Sequence, residues 1–256
     1  ELTVRPGADE KLSVTLGARY SHDKRTATRI NERSFSFAAL GGFTAENCGF
    51  FALTFAALGQ TCSPTGAVAG ATYSGKFNNF SPSLTIAYKA SGDMNLYAKY
   101  VRGYKSGGTS QRSANPINFA AGFEPEKVSS FEAGIKGNAL DRKLGYSLAG
   151  FYMRMNNYQA SVQTGATAGD RDFIGIDGND IYGVEFDLNA ALSRELRAGI
   201  SGALLSAKFG QRSASVLLDT GQTQVQNFIA DQTSAPKASG NFYLDYNREI
   251  SSDWAV

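Results

Sequence analysis

His22 is the only histidine in the 256 residues, and Asp23 follows it. One imidazole beside one carboxylate falls short of a metal centre, which takes several His, Cys or carboxylate ligands. A Ser-His-Asp triad would need a presented nucleophile, and no Gly-x-Ser-x-Gly turn occurs. A glycine-rich phosphate loop is also missing. His22 therefore reads as a surface residue at a strand end, and no catalytic residue, metal or cofactor is assigned. The net charge of +2 gives no pull toward nucleic acid. What does recur is charge at every second position. Arg19, Lys89, Lys99, Glu132, Lys136, Glu185, Asp187, Arg197 and Asp245 each sit opposite apolar neighbours.

Period two is the pattern of a half-wet strand. Leu12, Val14, Leu16, Ala18 and Tyr20 alternate with Ser13, Thr15, Gly17, Arg19 and Ser21. The same holds for Phe80, Leu84, Ile86 and Tyr88, for Phe131, Ala133 and Ile135, for Tyr182 to Leu188, for Leu196 to Leu204, and for Phe242 to Tyr246. Residues 95–104 and 144–158 alternate less cleanly, because Tyr97, Val101 and Phe151 fall among the polar positions. Twelve Tyr, 17 Phe and 28 Gly beside 6 Pro and 3 Met make a strand-and-turn composition. No apolar run reaches the roughly 18–20 residues of a membrane helix.

Connections alternate in length. Short polar turns lie at 5–10, 90–94, 138–143, 193–195 and 248–252; long Gly/Ser/Asn-rich loops lie at 24–75, 105–126, 161–178 and 210–236. That is the rhythm of an all-β, antiparallel up-and-down transmembrane barrel with short periplasmic turns and long extracellular loops. About eight complete strands are expected, plus partial ends. Tyr20, Phe80, Tyr88, Tyr100, Tyr182 and Tyr246 then mark aromatic girdles on the lipid face. Alternation also fits a soluble sandwich, though less well than a barrel. A charged opposite face fits a barrel lumen or a solvated sheet.

The stretch 95–159 carries a resemblance that separates these. Asn95-Leu96-Tyr97-Ala98-Lys99-Tyr100-Val101-Arg102-Gly103-Tyr104-Lys105-Ser106-Gly107-Gly108 resembles the strand-to-loop signature of TonB-dependent receptors. Phe123-Glu124-Pro125-Glu126 through Phe131-Glu132-Ala133-Gly134-Ile135-Lys136 looks like that family's next strand. Asp141-Arg142-Lys143-Leu144, Phe151-Tyr152, Tyr158-Gln159 and Gly183-Val184-Glu185 follow in order, and Gly17-Ala18-Arg19-Tyr20 precedes them. The ordered series is most similar to the iron-complex receptor branch. It implies one partial barrel domain over 1–256, truncated at both ends, without the plug or the closing strand. It further implies residence in the bacterial outer membrane, contact with its lipid, import of a scarce ligand such as a ferric siderophore, and energy from the TonB complex through the plug. Porin-like passage and a carbohydrate-binding sandwich are the rival readings.

Within that resemblance, Arg19, Lys99, Glu132, Lys136 and Glu185 are expected to face the lumen or plug, with Glu132 and Glu185 in ion pairs. Cys48 and Cys62 share the 24–75 loop, where an oxidising exterior would join them in a disulfide. The same loop repeats Phe37-Ala38-Ala39-Leu40-Gly41 as Phe55-Ala56-Ala57-Leu58-Gly59, read as a small self-packing element. Loops carry recognition. Tyr104, Arg112, Phe119, Phe123, Arg171 and Phe173 are the candidate ligand contacts, Arg for anionic chelates and aromatics for planar catechol-like groups.

Overall fold

The computed structural model describes residues 1–33, 61–63, 66–113, 116–164, 169–208, 212–217, 222–228, 235–251 and 254–255. Its strands are β1 (Leu2–Val4), β2 (Leu12–Arg33), β3 (Thr61–Ser63), β4 (Gly66–Lys89), β5 (Met94–Lys105), β6 (Glu126–Ala139), β7 (Leu144–Asn156), β8 (Tyr158–Gln163), β9 (Arg171–Ile176), β10 (Asn179–Ala191), β11 (Leu196–Lys208), β12 (Arg212–Leu217), β13 (Thr223–Phe228), β14 (Ala238–Tyr246), β15 (Glu249–Ser251) and β16 (Trp254–Ala255). Among the described residues one short helix, α1 (Pro116–Ala121), opens on a proline, whose missing N–H costs nothing at a first helical position.

A single 10-stranded sheet runs β1-β2-β4-β5-β6-β7-β10-β11-β14, with β3 beside β4. Every neighbouring pair is antiparallel. The sheet does not close; β1 and β14 are its edges. The expected long strands are β2, β4, β5, β6, β7, β10, β11 and β14, joined by alternating short turns and long connections.

The register turns sequence alternation into rows. Leu84, Tyr100, Phe131, Tyr152 and Tyr182 lie opposite one another across β4, β5, β6, β7 and β10. Ile86, Ala98, Ala133, Gly150, Val184 and Leu204 form the next row. This face is apolar yet open: Tyr20 is 68% exposed and Phe131 is 52% exposed. A wall one sheet thick has no partner layer for such a face, and lipid is the medium that suits it. The opposite face carries the charges.

Tyr97 and Phe151 stand on that polar face for a reason that lies on neighbouring strands. Tyr97 is paired with Gly134 and Phe151 with Gly183. A Cβ on Gly183 would lie 2.5 Å from the Leu204 carbonyl oxygen and 2.8 Å from the Phe151 ring, so the ring occupies the space a side chain would need. The Tyr97 hydroxyl donates to Glu132 Oε1 at 2.7 Å.

Two expectations change. Residues 24–75 are not one loop, because β2 and β4 stay paired from Leu12↔Tyr88 to Arg33↔Ala67. Past the girdle both faces are wet, so the ladder continues without the apolar alternation that marks it lower down. Likewise the hairpin β8–β9 runs from Tyr158 into 161–178, and 210–236 contains the hairpin β12–β13. Nor are Glu132 and Glu185 in ion pairs among the described residues. The pairs seen sit beside turns, Lys11–Asp9 at 3.6 Å and Arg142–Asp93 at 3.0 Å. Glu132 instead accepts from the Tyr97 hydroxyl. Cys48 and the repeat at 37–41 and 55–59 lie outside the described residues, as does the Cys62 side chain, and so does the expected disulfide.

The buried apolar side chains lie above the wall: Tyr73, Phe119, Val162 and Ile176. Loop 106–125, α1, hairpin β8–β9 and the upper part of β4 pack around them. The long connections thus hold a core of their own.

Candidate functional site

Pro82 offers no N–H, and the β4–β5 ladder stops beside it, at Ser83↔Val101. Above that point β4 continues with β2, while β5 runs on with β6 to Lys105↔Glu126. The divergence opens a cavity of about 1250 Å³ on the long-loop side of the wall. Arg19, Lys24 and Arg25 line it from β2, and Arg102 and Lys105 from β5. Asp23 is the carboxylate among them, so the cavity is strongly cationic. Tyr73, Tyr104, Phe123 and Phe173 supply aromatic surface.

The loops hold those rings firmly. Gly108 N–H donates to Phe123 O at 3.0 Å and Phe123 N–H to Gly108 O at 2.7 Å, closing the 109–122 loop at its neck. Phe123 and Phe173 meet at a 4.8 Å ring separation, tilted by 49°. Gly122 has φ +67°, and a Cβ there would meet the Tyr73 ring at 2.2 Å. Tyr73, in the extension of β4 beyond the wall, has its phenol pushed up by burial, with Glu124 adding to the effect and Arg25 opposing it. It stays a neutral donor at physiological pH.

A buried polar network joins the two loops. Asp172 Oδ2 accepts from Asn118 Nδ2 at 2.9 Å and from Thr164 Oγ1 at 2.8 Å. Ser110 Oγ donates to Arg171 O at 2.5 Å, and Arg171 N–H to Arg112 O at 2.8 Å. Gln159 Nε2 donates to Ser106 O and Glu124 O, both at 3.1 Å, while Gln159 N–H donates to Glu126 Oε2 at 3.0 Å.

Of the six expected ligand contacts, Tyr104, Phe123 and Phe173 line the cavity. Arg112 and Arg171 do not. Arg112 Nε donates to Gly169 O at 2.8 Å, fastening one loop to the other, and Arg171 donates to Ser161 Oγ and O at 2.9 and 3.1 Å, bracing its own β8–β9 hairpin. Phe119 is 2% exposed and lies in the loop core, not in the cavity lining. Sequence reasoning missed Lys24, Arg25, Arg102, Lys105 and Tyr73. Extending the β2 period past Tyr20 would have put Arg25 on the same side as Arg19.

Lower on the charged face, Lys99 lies opposite Glu132, and Lys136 opposite Asn95. Glu185 lies between Ala149 and Ala203. Glu132, Glu185 and Asp187 share a depression of about 500 Å³ with Ser147, Ser201 and Asn241. The face is thus cationic at the long-loop end and mixed below, where Lys99 and Lys136 accompany Glu132, Glu185 and Asp187. His22 is on β2 itself, its Nδ1 2.6 Å from Asn78 Oδ1. Among the described residues, no group of three His, Cys, Asp or Glu side chains could hold a metal.

Three comparisons bear on this architecture. The fold matches the ferric yersiniabactin uptake receptor FyuA of Yersinia pestis, with TM-score 0.62 and 15% identity over 96% of this chain and 30% of that one. The ferric-catecholate import receptor Fiu of E. coli K12 matches with TM-score 0.57 and 15% identity, over 97% of this chain and 31% of that one. At these identities the likeness is one of fold. A metal-pseudopaline receptor, CntO of Pseudomonas aeruginosa, is 29% identical over 76 residues, which is 30% of this chain and 10% of that protein. The chain thus spans about a third or less of the proteins it resembles. The family profile described as TonB dependent receptor-like, beta-barrel, matches residues 1–256 from end to end, and the chain belongs to that family of barrel receptors.

Proposed function

We propose that this wall is part of an outer-membrane importer that captures an anionic metal chelate, a ferric siderophore, in the cationic vestibule. The observation that carries this reading is the joining of Arg19, Arg25, Arg102 and Lys105 with Tyr104, Phe123 and Phe173 around one cavity. Guanidinium and ammonium groups neutralise a chelate's carboxylates or phenolates, and the rings cover its planar parts. The roles of FyuA, Fiu and CntO, each a receptor for a metal-complex ligand, support the ligand class. Import is not a bond-making reaction, so no residue is given a catalytic role. Below the vestibule, Glu132, Glu185 and Asp187, with Lys99 and Lys136 beside them, offer charges of both signs to a plug, through which TonB would deliver energy. A strain lacking the gene tests this: uptake of radiolabelled iron as a ferric siderophore should fall, and the gene should restore it only with TonB present. TonB-independent restoration would favour a passive pore.

A further inference from the structure

The lipid-facing side carries a feature that import does not use. Below the ring row Tyr100–Phe131–Tyr152–Tyr182, the small side chains of Ala98 and Ala133, with Gly150, leave an apolar groove of about 870 Å³. Ile86 and Val184 bound it, and Ile86 to Val184 spans roughly 19 Å at ordinary interstrand spacing. The row above the rings is charged. Arg154 and Lys208 both lie opposite Asp180, and Lys237 reaches the groove's rim. The tyrosine hydroxyls point into that row: Tyr152 donates to Asp180 Oδ1 at 2.6 Å and meets Arg154, and Tyr182 meets Ser206 and Lys208. Three cations against one carboxylate leave a net positive rim over an apolar slot.

We infer that this groove binds a phosphate-bearing lipid of the outer leaflet, with an acyl chain along Ala98–Ala133–Gly150 and the phosphate on Arg154, Lys208 and Lys237. The inference rests on the wall spanning the outer membrane. Cations directly above a belt of aromatic rings sit at the depth of lipid headgroups, where Tyr hydroxyls also prefer to lie. A second copy of the wall fits less well. Two barrels share one membrane orientation, so a symmetric contact would bring Arg154 and Lys208 against their own counterparts.

Gly150→Leu tests the groove without threatening the fold, because the nearest atom to a Cβ there is the Gly183 carbonyl at 4.0 Å. Full-length protein would be purified from outer membranes in mild detergent, and retained lipid counted by native mass spectrometry. The wild type should keep a phosphorylated lipid through delipidating washes. Gly150→Leu and the pair Arg154→Gln/Lys208→Gln should each lower its occupancy about tenfold. Lysophospholipid should displace it, and inorganic phosphate should not. Equal retention by all variants, no retained lipid in the wild type, or a dimer that Gly150→Leu dissolves would each overturn the inference. Outer-membrane fractionation and heat-modifiable migration of the same samples report separately on the membrane reading.

Discussion

Phe119→Ala should open two loops at once. Phe119 is 2% exposed, and its carbonyl accepts from Thr109 Oγ1 at 2.6 Å. Truncating a buried Phe removes about 3–5 kcal/mol, combining lost transfer energy with a residual cavity. Local units in native proteins open at free energies anywhere from near zero to the global value. A loss of that size raises the open fraction by roughly two to three and a half powers of ten, at 1.4 kcal/mol per decade. Because Asn118 and Asp172, Ser110 and Arg171, and Gln159 and Glu124 bind across the two loops, 106–125 and 157–178 should become accessible together. Hydrogen exchange or limited proteolysis on the full-length protein in detergent reads this directly. The lipid-facing Phe131, 52% exposed, provides the control, since Phe131→Ala should leave both loops protected. If 106–125 opens while 157–178 keeps its protection, the loops are not one cooperative unit and the reasoning fails.

Gly183→Val should destabilise the wall itself by about 1–3 kcal/mol, the usual cost of overpacking, because its Cβ would lie 2.5 Å from a backbone oxygen; a lower urea midpoint checks it. Tyr97→Phe deletes the bond to Glu132 and should cost about 1 kcal/mol in the same titration, with ligand affinity unchanged. Gly122→Ala combines a left-handed backbone with a clash on the Tyr73 ring, so exchange of the 106–125 amides should quicken while the strands stay protected. For Cys48 and Cys62 we predict a disulfide, seen as an unreduced mass two hydrogens lighter than the reduced form; free thiols in the folded protein would exclude it.

The strands were legible because a wall that divides lipid from lumen must alternate, and each of its faces reports on the other. Their ends were not, since β2 above Tyr20 and β4 below residue 80 in number are held by backbone ladders that ask little of side chains. Tyr97 and Phe151 looked like errors of phase until the register placed glycines beside them. That information is shared between strands and absent from either one. The loop residues divide on the same principle. Arg112 and Arg171 have the chemistry to bind an anion, but each is turned toward a loop carbonyl and away from the cavity lining. Phe119 looked like an exposed ring because a loop core cannot be seen from one loop. Arg19 was placed on the lumen side by parity alone, and it does line the vestibule.

The cationic vestibule is the central claim, and a binding titration tests it most directly. Full-length protein in detergent would be titrated with an anionic ferric siderophore, comparing wild type with Arg25→Glu/Arg102→Glu at two salt concentrations. A unit charge pair at 4 Å is worth about 1–4 kcal/mol between water and a protein surface. The double reversal takes the lining from net cationic to neutral, so it should weaken binding at least tenfold and largely abolish its salt dependence, with heat-modifiable migration unchanged. Equal affinity in a variant that still folds would contradict the assignment of this cavity as the ligand site.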